Sequence, residues 1–286
     1  MFTRLLAASL ALLLCCASPG HAAPPVAAIV PETLHAPGGG QVWVYLPRNA
    51  SAGAKLPCVL IAPAGSRMFH GMTLGDGDKP EHLPWVAAGF AVVSYDISGP
   101  FPEESSDDEL VIRAVSAFMK ARFGVNDGLA ALDTALAKYP QIDPSRVYVV
   151  GHSSAATLSL QLAAASDRFK GCVSFAPVLD VATHLKPVLP TLDQAVPGFA
   201  EAVRAASPLS HVDAIHCPVF LFRAEDDDKG TPAAPMGAYR DALRANGTTV
   251  EYVTVPTGGH YDSMIKQGQP KAIAWIKTLD QKAAKQ

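Results

Sequence analysis

The chain alternates between two kinds of apolar pattern. CVLIAP (58–63) and FAVVSYDI (90–97) are short continuous runs rich in Val and Ile, the composition of strands buried on both faces. VWVYLP (42–47) predicts another strand. Gly38–Gly40 form the turn before it, and a further strand near Val26–Leu34 would pair antiparallel across that turn. RVYVVGHS, CVSFAPVL (172–179), PVFLFRAE (218–225) and VEYVTVP (250–256) complete a set of eight. Between the later strands the apolar positions recur at helical spacing. ELVIRAVSAFMKARFG (109–124) follows EESSDDE, whose charge suits a helix N-terminus, and GLAALDTALAKY follows Asn126, its expected cap. Ser154 to about Ala165, PMGAYRDALRANG (235–247) and PKAIAWIKTL are further helices. Residues 180–212 hold four prolines and no clear strand, and read as a small cap-like insertion before the strand at 218–225. Strands alternating with helices predict an α/β fold: a mostly parallel eight-stranded sheet with helices on both faces.

In such sheets the chemistry gathers at the carboxyl ends of the strands. Three of those ends carry reactive groups. RVYVV runs into Gly151-His152-Ser153-Ser154-Ala155, PVFLF into Glu225-Asp226-Asp227-Asp228, and VEYVTVP into Gly258-Gly259-His260. A serine hydroxyl is a weak nucleophile until a neutral imidazole takes its proton, and that imidazole needs a carboxylate to fix its tautomer. A serine on a sharp strand-to-helix turn also wants small neighbours two residues before and after. Gly151 and Ala155 meet that demand for Ser153. Ser154 would be flanked by His152 and Ala156, so Ser153 is the expected nucleophile and Ser154 the expected backbone donor to the oxyanion.

His260 is the expected base because it alone among the histidines follows the last strand. His152 adjoins the nucleophile, so its ring is expected to point elsewhere. Spacing does not choose among Asp226, Asp227 and Asp228. The second oxyanion donor should come from the loop after CVLIAP, where Ser66 competes with Ala64, Gly65 and Arg67.

The chain has 286 residues, enough for one large α/β domain, and a formal charge of −3. It contains no basic block, which argues against a nucleic-acid partner. LLAASLALLLCCA behind Arg4, followed by a break at Pro19-Gly20 and small residues at Ala22-Ala23, reads as an export signal over residues 1–23. The remainder, 24–286, is expected to be one catalytic domain with no stable membrane span, placed in the periplasm or secreted. Cys58, Cys172 and Cys217 open predicted strands and read as buried thiols. A Cys172–Cys217 bridge would require those two strands to be neighbours.

With these motifs in place, the stretch from about 26 to 280 resembles the α/β-hydrolase superfamily. LFRAEDDDKGTP followed by PTGGHYDSM looks like the catalytic domain of prolyl oligopeptidase and acylaminoacyl-peptidase relatives, and like dienelactone-hydrolase-type proteins. In those families the acid sits four residues after the first of a residue pair that Arg223-Ala224 matches here, which points to Asp227. Arg223 departs from their usual His, and one extra residue before Pro232 leaves Asp228 as the alternative. Together the leader, the three strand-end motifs and the resemblance predict an exported serine hydrolase acting on a small-molecule ester or small amide through an acyl-enzyme, with no cofactor or metal. Alternatives on the same scaffold are a serine exopeptidase, an acyltransferase or a non-catalytic binding protein.

Overall fold

The computed structural model describes residues 31–48, 53, 55–65, 72, 74, 79–101 and 107–283. The leader expectation and the Ser66 and Arg67 assignments lie outside these residues. Eight strands form one sheet: β1 (Glu32–His35), β2 (Gln41–Tyr45), β3 (Leu56–Ile61), β4 (Ala91–Tyr95), β5 (Ile142–His152), β6 (Phe169–Phe175), β7 (Val219–Ala224) and β8 (Val250–Val255). Their spatial order is β1-β2-β4-β3-β5-β6-β7-β8. β2 pairs antiparallel with β1 and with β4, and every pairing from β4 through β8 is parallel.

Two cores lie on opposite faces of this sheet, and the period-two alternation of each strand decides which side chain enters which. Val42, Val44, Cys58, Leu60, Val219 and Leu221 face one core. Trp43, Tyr45, Val59, Ile61, Phe220 and Phe222 face the other. The first is covered by α3 (Val125–Lys138), α4 (Ser154–Ala165) and α8 (Ala233–Ala245). The second is covered by α1 (Lys79–Ala87) and α9 (Gln269–Ala283). Both faces are thus sealed, and the strand tips at one edge are left to carry function.

Several boundaries differ from the sequence expectation for local reasons. α1 is a helix where Pro80 and Pro84 mask the periodicity. Trp85 and Val86 nevertheless bury against the sheet. α3 starts at Val125 and not behind Asn126. Arg122, Phe123 and Gly124 all take positive φ, so the chain turns sharply out of α2 (Asp108–Lys120) and Gly124 (φ 92°) stands at the cap. The insertion is helical: α5 (Val181–His184), α6 (Leu189–Ala195), α7 (Phe199–Ala206) and a 3₁₀ stretch, Pro208–Ala214. Leu185, Leu189, Leu192, Phe199 and Val203 pack with Phe101, Val111 and Val115 in a third core, so the insertion and α2 form one layer. Among the described residues no helix is long and apolar enough to cross a membrane. Among the described residues Cys58, Cys172 and Cys217 are unbridged, although the strands of the last two are neighbours. Burial pushes the Cys58 thiol up to about 12 and raises Cys172 well above the usual thiol range.

Candidate active site

The turn after β5 is built by close approach. A Cβ on Gly151 would lie 2.0 Å from the carbonyl oxygen of Ala155 and 2.7 Å from the nitrogen of Ala156, so only glycine fits. Ser153 adopts φ 58°, ψ −123°, a conformation that costs a non-glycine residue about 1–3 kcal/mol. The surroundings hold it there. Its N–H donates to the Phe175 carbonyl at 2.9 Å, and its carbonyl accepts from Ala156 (3.0 Å) and Thr157 (3.2 Å). Residues 155 to 163 of α4 are all buried, and the small Ala155, Ala156 and Ser159 let the helix lie close on the sheet. Ser154 opens α4. The first turn of a helix leaves its N–H groups without intrahelical acceptors, which makes this end a seat for negative charge.

The Ser154 hydroxyl has a separate role: it accepts the Gly65 N–H at 2.8 Å. The loop leaving β3 is thereby tied to the serine turn, and the N–H of Gly65, one of the candidate second oxyanion donors, is engaged by the Ser154 hydroxyl. That tie carries no sequence signal, because it joins residues far apart in the chain.

At the tip of β7 the acidic run divides. Asp227 is buried while Glu225, Asp226 and Asp228 are exposed. His260 Nδ1 lies 3.0 Å from both carboxylate oxygens of Asp227, and the Asp227 side chain is only 2% exposed. Asp227 also accepts from the N–H groups of Lys229 (2.9 Å) and Gly230 (3.3 Å). Burial works to raise this carboxyl. The bonds from His260, Lys229 and Gly230 outweigh it and hold the group below the usual carboxylate range. An ionised Asp227 facing Nδ1 makes Nδ1 the donor, which leaves a lone pair on Nε2. Asp226 points instead at the loop after β8, accepting from Gly258 N–H (3.1 Å) and Gly259 N–H (2.8 Å).

His152 is turned toward the His260 loop. Its ring packs against that of His260, with centroids 4.6 Å apart, and its Nε2 lies 2.9 Å from the His260 carbonyl oxygen. A carbonyl only accepts, so Nε2 carries the proton and donates. Burial, and then the neighbouring His260, push His152 down to about 3, so it stays neutral at any ordinary pH. The residue before Ser153 is therefore bonded to the backbone of His260, joining the tips of β5 and β8 directly.

A cavity of about 370 Å³ opens at the same edge, at the end of β4, lined by Gly38–Gly40, Asp96, Ser98 and Asp127. Asp96 caps Gln41 N–H (3.2 Å) and Met72 N–H (2.8 Å), and Asp127 holds Ser98 through its N–H (2.8 Å) and hydroxyl (2.6 Å). Both carboxylates thus brace loops.

The sequence model of the prolyl oligopeptidase family matches residues 83–281, most of the chain and every residue from the serine turn to the His260 loop. The chain belongs to the prolyl oligopeptidase family. A curated relative is an uncharacterised peptidase, YuxL, of Bacillus subtilis (strain 168). It is 23% identical over 238 residues, spanning 80% of this chain and 34% of that one. Among solved structures, a puromycin-hydrolysing peptidase of Mycobacterium tuberculosis aligns with a TM-score of 0.69 at 20% identity, over 90% of this chain and 40% of its own. The acylaminoacyl peptidase of Pyrococcus horikoshii aligns with a TM-score of 0.68 at 17% identity, over 88% and 41%. These structures share the α/β-hydrolase fold with this family member. The chain spans about a third of the curated relative and about two fifths of the structures.

Proposed function

We propose that this protein is a serine peptidase that cleaves an amide bond in a short acylated or aminoacyl substrate. The observation that carries the reading is the paired 3.0 Å contact of His260 Nδ1 with both oxygens of buried Asp227, at the same sheet edge as the strained Ser153 turn. In this reading Ser153 Oγ attacks the amide carbon as its proton passes to His260 Nε2. Asp227 faces the imidazolium that forms, and the N–H of Ser154, with a second donor from the loop after β3, faces the oxyanion. The C–N bond then breaks as His260 returns the proton to the leaving amine. Water, deprotonated by His260, releases the acyl group from Ser153.

Family membership and the peptidase names of the relatives favour the peptidase alternative over the broader expectation of a carboxylic ester or small amide. The names of two structural neighbours, for puromycin and for acylaminoacyl substrates, support aminoacyl amides as the class to try. A fluorophosphonate probe should label Ser153 in the folded protein and fail on Ser153→Ala. Aminoacyl p-nitroanilides should be turned over alongside aryl esters. No adduct on Ser153 would sink the enzyme reading, and ester turnover without anilide cleavage would return the esterase.

A further inference from the structure

The acidic run after β7 holds more carboxylates than a triad uses, and the exposed Asp226 has a definite target. Its Oδ2 accepts the Gly258 N–H at 3.1 Å and its Oδ1 the Gly259 N–H at 2.8 Å. Those two glycines take φ 120° and 57°, a backbone path that turns successive N–H groups toward one point and forms a small anion-binding nest. Asp226 supplies the anion. On the other side of the loop, Ser263 N–H donates to the Gly258 carbonyl (2.9 Å) and Ser263 Oγ to the Gly259 carbonyl (2.6 Å). A Cβ on Gly258 would lie 2.9 Å from the Ser263 backbone, so the loop has no slack there.

We propose that Asp226 is a positioning residue for the base. It holds the backbone of the His260 loop so that the imidazole stays in line between Asp227 and Ser153. The proposal rests on the reading of His260 as the general base. Asp227 then fixes the ring, and Asp226 fixes the chain that delivers it. Four bonds from Asp226 and Ser263 tie the Gly258 and Gly259 peptide groups, and His152 ties the next carbonyl. Two of the five come from Asp226 and are charge-assisted, so removing its carboxylate loosens the loop more than loss of a neutral partner would.

Two measurements test this. The first is amide hydrogen exchange over residues 257–261 in Asp226→Ala, which should speed up about tenfold, with Asp226→Asn intermediate because its single carbonyl oxygen keeps one acceptor. This needs no turnover, so it stands or falls apart from the peptidase reading. Unchanged exchange would remove the clamp. The second is the rate of fluorophosphonate labelling of Ser153, which should fall about tenfold in Asp226→Ala with the melting temperature nearly unchanged. In a His260→Ala background the same change should have no further effect, because residues that act as a unit are non-additive. A full additional loss in that background would show that Asp226 acts by another route and would overturn the proposal. Absence of labelling in the unaltered protein would count against the peptidase reading alone, with the exchange result still deciding the clamp.

Discussion

His152 makes the stability of this protein depend on pH in a window that can be calculated. Its ring donates from Nε2 to the His260 carbonyl, and burial, then the neighbouring His260, hold its value down at about 3, below the ordinary 6.5. The sign follows from linkage. A histidine whose folded value lies below its unfolded value binds its proton more readily in the unfolded chain. Acidification below about 6.5 therefore favours unfolding, and the loss continues until the pH reaches the folded value. Each pH unit in that window costs about 1.4 kcal/mol. Between about pH 7.5 and about pH 5 the loss comes to roughly 2 kcal/mol. It barely changes if the folded value is displaced by a unit, because pH 5 still lies above it.

The variant that isolates this effect is His152→Gln. Its amide N–H can still reach the His260 carbonyl, but it does not titrate. Denaturant unfolding at the two pH values should show the unaltered protein losing about 2 kcal/mol more than the variant. His184, whose value desolvation also lowers, contributes equally to both proteins and cancels. Asp227 stays out of the window: its value is depressed below the usual carboxylate range, so its contribution is present above the unfolded value and lost only in stronger acid. Equal losses in the two proteins would refute the reasoning, since His152 would then be protonated or solvated in the folded state.

Two further substitutions probe the serine turn. Gly151→Ala places a methyl carbon 2.0 Å from the Ala155 carbonyl oxygen and should cost at least about 3 kcal/mol, lowering the melting temperature by roughly 6–12 °C. Gly38→Ala, where nothing lies within 4 Å, should leave the melting temperature unchanged, and a fall as large as that for Gly151→Ala would deny any special role to the close approach. Ser154→Ala keeps the backbone N–H but removes the acceptor for Gly65, so kcat should fall about two- to tenfold with KM and the pH profile little altered. An unchanged kcat would show that the tie between the β3 loop and the turn does not position an oxyanion donor.

The parts of this architecture legible in the chain are those set by local rules. Runs such as CVLIAP and FAVVSYDI declare buried parallel strands because both faces must be apolar, and the eight-stranded sheet follows. Ser153 stands out because a strand-to-helix turn needs Gly151, and the 2.0 Å approach gives the reason. What stays hidden depends on where side chains point after the strands end. Asp226, Asp227 and Asp228 are equivalent in composition, but one turn buries the middle carboxylate against His260 and aims the first at Gly258 and Gly259. The partner of His152 escapes a reading of the sequence because it is a backbone carbonyl 108 residues away, which only the assembled strand tips bring within reach. The legible residues are thus those placed by a single element. The hidden contributions, from Asp226, His152 and the Ser154 hydroxyl, each span two strand tips, and they hold the tips of β3, β5, β7 and β8 in one arrangement. The proposed triad, spread over three loops, needs such ties, since each loop alone is free to move relative to the others.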